Sequence, residues 1–479
     1  MATRPVDEHP CGWHDYAEYL EAKIAPLAAH VETLNAELET LKRHVFGKRS
    51  EKMPPMDGEV KKKPSREQTQ AKRAESAEAK AKLVTESIPH NVPEEKRTCP
   101  ACDKQATPAG TKESIELDYV QGHFRRRSHV RETLSCSCGE YIVTADAPDR
   151  VFDKTLYTPA FVAHIIVQKC ADSIPLYRLE KQFRRLQIPM ARSTMTDLFH
   201  RAAMLLEPLV ERIAVRVRES DLVLADETSQ RMQKSSKKAF LWTFIAGRLV
   251  LYRFAVDRSG KTPEAVLGDS KGILVVDGYS GYNIVTTPEG RERAGCLAHA
   301  RRKFFDAKDH APKEAEFAKN LIRRIYVVEH DAKERNIAGT KEHLRLRQTD
   351  TTNLMVEFRA WLTKEEPNHL PKGPMAQAIH YALNNWEELT LFLRDARIPP
   401  DNNRSESALR VPAMGRKAFL FVHDEKNGKN LANLYTLVAT CEACGVEPTA
   451  YLTDVLMRIS THPNAAIDEL LPDRWRPRD

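Results

Sequence analysis

The stretch Leu222-Val223-Leu224-Ala225-Asp226-Glu227-Thr228 decides the fold. Four apolar residues in a row read as a strand buried on both faces, and the run ends on a carboxylate. Further on, Ile273-Leu274-Val275-Val276 repeats the pattern and ends on Asp277. Between the two, residues 240–246 and 249–256 read as a hairpin turning at Gly247-Arg248. A single strand-end Asp is commonly a turn or cap residue. Two buried strands that each deliver a carboxylate at the C-terminal end make a place where a hard cation can be held.

A third acid comes late. Asp401-Asn402-Asn403-Arg404-Ser405-Glu406 leads into the helical pattern Ala408, Leu409, Arg410. Glu406 near a helix start faces the strand ends if that helix packs on the sheet. Glu227 points away from Asp226 if the strand continues, so it reads as structural or supporting. The long span from Asp277 to Glu406 carries Phe317, Leu321, Ile325 and Val328 at helical spacing, and residues 344–362 and 376–393 also read as helical. The separation of the first two acids accommodates the hairpin, as in a ribonuclease-H-like sheet. The expected fold is multidomain α+β, with a ribonuclease-H-like α/β catalytic domain interrupted by a helical insertion.

Toward the N-terminus the pattern changes. Leu20, Ile24, Leu27, Val31, Leu34, Leu38, Leu41 and Val45 alternate steps of four and three, the spacing of a coiled-coil seam. That stripe calls for a partner helix, most simply from another copy of the chain, or for docking on its own body. Pro26 is expected to restrict regular helix to the part after it. Cys99-Pro100-Ala101-Cys102 and Cys136-Ser137-Cys138 are two thiolate pairs. Joined by a hairpin of residues 114–120 and 130–134, they would make one tetrahedral Zn²⁺ site of the zinc-ribbon kind, the alternative being buried structural thiols. His123 and His129 are reserve ligands, and Arg125, Arg126 and Arg127 at the hairpin offer charge to phosphates. Cys11, Cys170 and Cys296 are isolated and read as structural. Cys441 and Cys444 read as helix packing. Helices are expected from Pro159, from Pro175 and, capped by Ser193, around Met195, Leu198 and Phe199. Three short helices suit either a helix-turn-helix or a plain helical subdomain.

At 479 residues the chain is too long for one compact core. Its 74 Lys and Arg against 67 Asp and Glu leave a net charge of +7, and residues 42–82 alone hold 13 basic and 6 acidic side chains. Such a tract near balanced domains suits a polyanion, usually nucleic acid, or is a solvated linker. No apolar run could span a membrane and no secretory signal is visible, so a reducing cytoplasmic setting is expected. Ser259-Gly260-Lys261-Thr262 is not a phosphate loop, because Ala255 stands where the first glycine is required.

Several ordered blocks resemble the signatures of insertion-sequence-66-type transposases. They are Ala225-Asp226-Glu227-Thr228, Asp277-Gly278-Tyr279-Ser280-Gly281-Tyr282-Asn283, His299-Ala300-Arg301-Arg302-Lys303-Phe304 and Asn402-Asn403-Arg404-Ser405-Glu406. Phe46-Gly47-Lys48-Arg49-Ser50-Glu51, the cysteine pairs, Arg416-Lys417 and Ala450-Tyr451-Leu452-Thr453-Asp454-Val455-Leu456 are similar to that family as well. The resemblance implies a DDE transposase whose triad is Asp226, Asp277 and Glu406, holding two Mg²⁺ (or Mn²⁺) ions for strand cleavage and strand transfer. Its partners would be terminal inverted repeats and target DNA, a second copy of the chain, and companion proteins of the same element. Candidate DNA contacts are Arg125, Arg126, Arg127, Arg301, Arg302, Lys303, Arg404, Arg416 and Lys417. The alternative is a zinc-containing DNA-binding regulator without catalysis. Expected domains are a coiled coil (15–48), a basic linker (49–95), the ribbon (96–150) and the helix-turn-helix (155–215). The catalytic parts follow at 218–305 and 396–425, flanking the insertion (306–395), with a helical end (426–479).

Overall fold

The computed structural model describes residues 122–135, 142–153, 155–235 and 238–477, with helical positions scattered between 17 and 34 and at 70, 74 and 78. Residues 41–123 group as a unit of their own. The cysteines Cys99, Cys102, Cys136 and Cys138 and the linker's basic runs lie outside the described residues.

A five-stranded sheet positions the candidate site. It contains β3 (Leu222–Gln230), β4 (Ala239–Ala246), β5 (Leu249–Ala255), β6 (Ile273–Val275) and β7 (Glu292–Ala294), in the spatial order β5-β4-β3-β6-β7. β3, β4 and β5 run as an antiparallel meander, whereas β6 and β7 lie parallel to β3. The meander turns at Gly247, whose φ of 56° lies in the region that glycine adopts without a Cβ clash. Two short strands elsewhere, β1 (Thr133–Ser135) and β2 (Ile142–Thr144), pair antiparallel. The strand expected around residue 134 thus pairs with residues 142–144, and its expected partner, residues 114–120, lies outside the described residues.

Helices α1 (Pro159–Cys170), α2 (Leu176–Arg185) and α3 (Arg192–Leu205) start close to the expected positions. Thr158 caps α1 by accepting the Phe161 N–H, and proline begins α1 and precedes α2, where a missing N–H costs no helical bond. The cap of α3 is Ala191, not Ser193. Ala191 has the extended backbone a cap requires, and Ser193 lies inside the first turn. Helix α4 (Glu207–Arg218) then leads into β3, and α5 (Lys261–Leu267) lies between β5 and β6 in the chain. Buried apolar side chains from Val151 to Leu471 form one continuous cluster, so these helices share a core with the sheet.

Edge strand β5 is covered by helix α14 (Glu425–Cys444). Buried Thr436 accepts the Tyr252 N–H at 2.9 Å, and Thr440 both accepts from and donates to Val250 at 3.2 and 3.1 Å. Side-chain hydroxyls thus satisfy backbone groups that an open edge would leave unpaired. Cys170, Cys296 and Cys441 are buried free thiols, as expected of packing residues.

Between β7 and the late acid lie α6 (Leu297–Asp306), α7 (Pro312–Glu334), α8 (Lys341–Leu346), α9 (Thr352–Glu365), α10 (Pro374–Asn384) and α11 (Trp386–Thr390). Leu321 and Ile325 are core, whereas Phe317 is exposed and lies 5.1 Å from the Trp361 ring. A π-helical turn, Arg347–Thr351, joins α8 to α9. It carries buried Arg347, which donates to both Glu329 carboxylate oxygens at 2.7 and 2.8 Å and to the carbonyls of Phe392, Asp395 and Ile398.

At the N-terminus, Leu20, Ile24, Val31 and Leu34 are helical and exposed, so the body of the same chain does not cover them. Described residues on both sides of Pro26 are helical, against the expectation that regular helix begins after it. A proline removes one hydrogen bond and crowds one carbonyl, which a helix can absorb locally.

Candidate active site

β3 and β6 pair in parallel with Leu224 opposite Val275. Asp226 lies two residues past Leu224, within β3, which runs on to Gln230 rather than ending at this acid as expected. Asp277 lies two residues past Val275, just beyond the end of β6, so the same register brings the two to one level of the sheet. Asp226 Oδ1 accepts the Glu227 N–H at 2.8 Å, and Asp277 Oδ1 accepts the Tyr279 N–H at 2.9 Å. Glu406 lies in the first turn of α12 (Asn403–Ala408). Its Oε1 is 3.8 Å from Nδ1 of His299 on α6.

The three acids are electrostatic neighbours. Burial pushes the Asp226 carboxyl up to about 7, against the hydrogen bond from Glu227, and the charges of Glu227, Asp277 and Glu406 add to the rise. Among the described residues, no three His, Cys, Asp or Glu side chains are already gathered tightly enough to hold a metal ion.

The late acid is anchored by the residue four before it. Asn402 is fully buried. Its side-chain amide donates to the Ala225 carbonyl at 2.7 Å, its N–H donates to Cys296 Sγ at 3.2 Å, and its carbonyl accepts the N–H groups of Ser405 and Glu406. One residue therefore links the strand of Asp226, the helix of Glu406 and the start of α6. Arg293 on β7 braces the second acid, donating to the carbonyls of Asp277 and Tyr279 and to Asn283 Oδ1.

Glu227 turns away from Asp226, as the alternation of a strand requires. It is buried, accepts from Tyr282 Oη at 2.7 Å and from Arg258 Nε at 2.7 Å, and so ties β3 to two loops. The Arg258 guanidinium lies 3.9 Å from the Tyr279 ring centroid. The helices between β7 and Glu406 reach the loop after Asp277 through Tyr381 of α10. A Cβ on Gly278 would meet its ring at 2.8 Å, so the loop after Asp277 needs glycine there.

The basic candidates divide. Arg125, Arg126, Arg127, Arg302, Lys303 and Lys417 are exposed, and Arg301 is half-buried. Lys303 Nζ lies over the Tyr381 ring. Arg404 donates to the Gly247 carbonyl, and Arg416, on α13 (Arg410–Phe419), donates to Thr228 Oγ1 and to Ser229. Both are thus engaged within the chain. Sequence patterns give no role to Asn402 as an individual residue, to Arg293 or to Arg258. Only Asn402 carries a signal, its place in the block before Glu406.

Comparison with known proteins fits this geometry. Residues 154–430 match the family model described as Transposase IS66 family. The chain belongs to the IS66 transposase family. Residues 436–472 match the IS66 C-terminal element, a span that takes in the later part of α14 and the whole of the helix after it, α15 (Pro448–Arg458). Residues 96–139 match the zinc-finger binding domain of transposase IS66, a span that includes all four cysteines of the two pairs. Among relatives, the uncharacterized protein y4jD of Sinorhizobium fredii is 29% identical over 504 residues, covering 96% of this chain and 98% of that protein. The uncharacterized protein y4qI of the same organism is 32% identical over 393 residues, covering 77% and 72%. No helix among the described residues is long and apolar enough to cross a membrane.

Proposed function

We propose that the chain is a DDE transposase that cleaves DNA at the ends of its insertion sequence and joins those ends to target DNA. Asp226, Asp277 and Glu406 are the acids of its site. The observation that carries this reading is the register of β3 and β6, which brings Asp226 and Asp277 to one level of the sheet. Glu406 on α12 is near enough that its charge and that of Asp277 add to the rise burial gives the Asp226 carboxyl. The strand order and senses support a ribonuclease-H-like sheet, with α6 to α11 as its insertion.

The donor set fits hard divalent cations, since it is all carboxylate oxygen and its mutual repulsion is what such charge relieves. Bound Mg²⁺ or Mn²⁺ would activate the attacking oxygen and neutralise the leaving one. Asp226, Asp277 and Glu406 would hold the ions. Asn402 and Arg293 fix the backbone from which these acids project. Exposed Arg302, Lys303 and Lys417 offer charge to the DNA backbone, orienting the strand without reading its sequence.

Cys99, Cys102, Cys136 and Cys138 would close one structural Zn²⁺ site, a reading supported by the zinc-finger match. Purified protein should then carry about one zinc per chain, by the usual closed four-ligand site, and Cys99→Ser should release it. The uncovered stripe of Leu20, Ile24, Val31 and Leu34 supports pairing of two copies.

The decisive experiment replaces Asp226, Asp277 and Glu406 singly with Ala and assays binding and Mg²⁺-dependent cleavage of the element's end DNA. Cleavage and joining should fall by orders of magnitude while binding survives. Near-normal cleavage by one variant removes that residue from the site. If all three remain active, the catalytic reading is wrong and a DNA-binding regulator is left.

A further inference from the structure

Beyond Asp226, strand β3 continues four residues to Gln230, roughly 13 Å at the rise of a strand. The chain after β3 is zipped to the segment that follows α13. Val422 donates its N–H to the Arg231 carbonyl at 3.0 Å and accepts from Gln233 N–H at 2.8 Å, and Lys234 N–H donates to the His423 carbonyl at 3.2 Å. Met232 and Val422 form a parallel bridge. Arg416 fastens α13 to Thr228 and Ser229. These two loops therefore form one tip beyond the end of the strand that carries Asp226.

The tip has an unusual surface. Leu420 has φ 63° and ψ −45°, and Phe421 N–H donates to the Phe419 carbonyl at 2.7 Å. That is a γ-turn of the rare positive-φ kind, centred on a residue with a Cβ. Phe419 is held beneath it, with Lys169 Nζ 3.8 Å from its ring centroid. Leu420 and Phe421 instead face solvent, 61% and 44% exposed. Exposed Arg231, Lys234, Lys417 and Lys426 flank them. The nearby acids are occupied: Asp424 caps α14 and pairs with Lys234 at 3.6 Å, and Glu425 pairs with Lys429 at 2.7 Å. A strained, exposed apolar turn inside a ring of cations lowers the stability of the free protein, and strain of this kind is concentrated at functional sites.

We infer that this tip is a DNA wedge. Leu420 and Phe421 press against a base step of the duplex roughly four or more base pairs from the scissile phosphate, at about 3.4 Å per step, while Arg231 and Lys417 neutralise phosphates on either side. An apolar side chain pushed between base pairs unstacks the step and kinks the duplex, and the cations hold the bent backbone. The inference rests on the reading of Asp226, Asp277 and Glu406 as the cleavage site, from which it takes the identity of the partner.

The test uses the full chain and duplexes of the element's end, with 2-aminopurine at successive positions across the cleavage site. Wild type should raise fluorescence at one step. The double variant Leu420→Gly/Phe421→Ala should lose that rise without losing thermal stability, since glycine relieves the positive φ. It should cleave paired duplex at least tenfold more slowly, yet recover on duplex carrying a mismatch at that step. Arg231→Gln/Lys417→Gln should reduce the slope of log K against log salt by about 2, since each phosphate left without its cation removes about 0.9. Asp226→Ala should keep the fluorescence rise while losing cleavage, so failure of the catalytic reading and failure of the wedge are separable. A silent probe with wild type, or an unchanged rise with the double variant, overturns the proposal. So does a double variant that alters self-association but not the probe, which would make the tip a protein contact.

Discussion

The side-chain amide of Asn402 donates to the carbonyl of Ala225 at 2.7 Å, joining the residue before one acid to the cap of the helix that carries another. A bond of this kind sets the distance between Asp226 and Glu406 without touching either. Replacing Asn402 with Asp keeps the shape but turns a donor toward the Ala225 carbonyl into an acceptor. Partners behind ligating side chains typically contribute 10–100-fold to metal affinity. The half-saturating Mg²⁺ concentration for cleavage should rise by about that factor in Asn402→Asp, while affinity for end DNA stays unchanged. A titration of cleavage against Mg²⁺ that superimposes on wild type would remove Asn402 from this role.

Arg347 and Glu329 pin the helices between β7 and Glu406 from within. The guanidinium is 1% exposed and meets both carboxylate oxygens as well as three carbonyls. Removing one partner of a buried pair leaves an uncompensated charge, which costs about 3–5 kcal/mol. Arg347→Met should therefore lower the urea midpoint sharply. The double variant Arg347→Met/Glu329→Leu should recover much of the loss, because two apolar residues replace two charges. Equal midpoints for the single and double variants would show that the carbonyl contacts, not the Glu329 pair, carry the effect.

The strands and their acids were legible because each signal is local. An apolar run that ends on Asp, a Gly-Arg turn between alternating segments and a proline at a helix start are set by neighbours in the chain. What stayed hidden is set by partners far along it. Asn402 meets Ala225 across 177 positions, and Arg347 meets Ile398 across 51. In sequence Arg347 looks like any solvated cation, and its π-helical turn has no composition of its own. The cap at Ala191 was missed for a related reason, since the backbone supplies the extended geometry there and no side chain does.

The elevated Asp226 carboxyl makes the metal-free protein sensitive to pH in a definite direction. An Asp titrates near 4 when unfolded, whereas burial and three neighbouring carboxylates push Asp226 up to about 7 when folded. The folded chain therefore binds a proton that the unfolded chain has released. The associated stability is complete below about 4 and is lost as pH rises through about 7. In EDTA, the melting temperature of wild type should fall between pH 5 and 8 more steeply than that of Asp226→Asn. The amide cannot ionise, so the variant should melt a few degrees higher at pH 8, at somewhat less per kcal/mol than the roughly 2–4 °C of domains of about 150–250 residues. Added Mg²⁺ should stabilise wild type at pH 8, where the carboxylates are charged, and should stabilise Asp226→Asn much less. The comparison is drawn between the two proteins because Glu227, also shifted upward by burial, contributes to both profiles. Parallel profiles for wild type and Asp226→Asn would mean that Asp226 ionises freely in the folded chain, and that the three acids do not form one electrostatic unit.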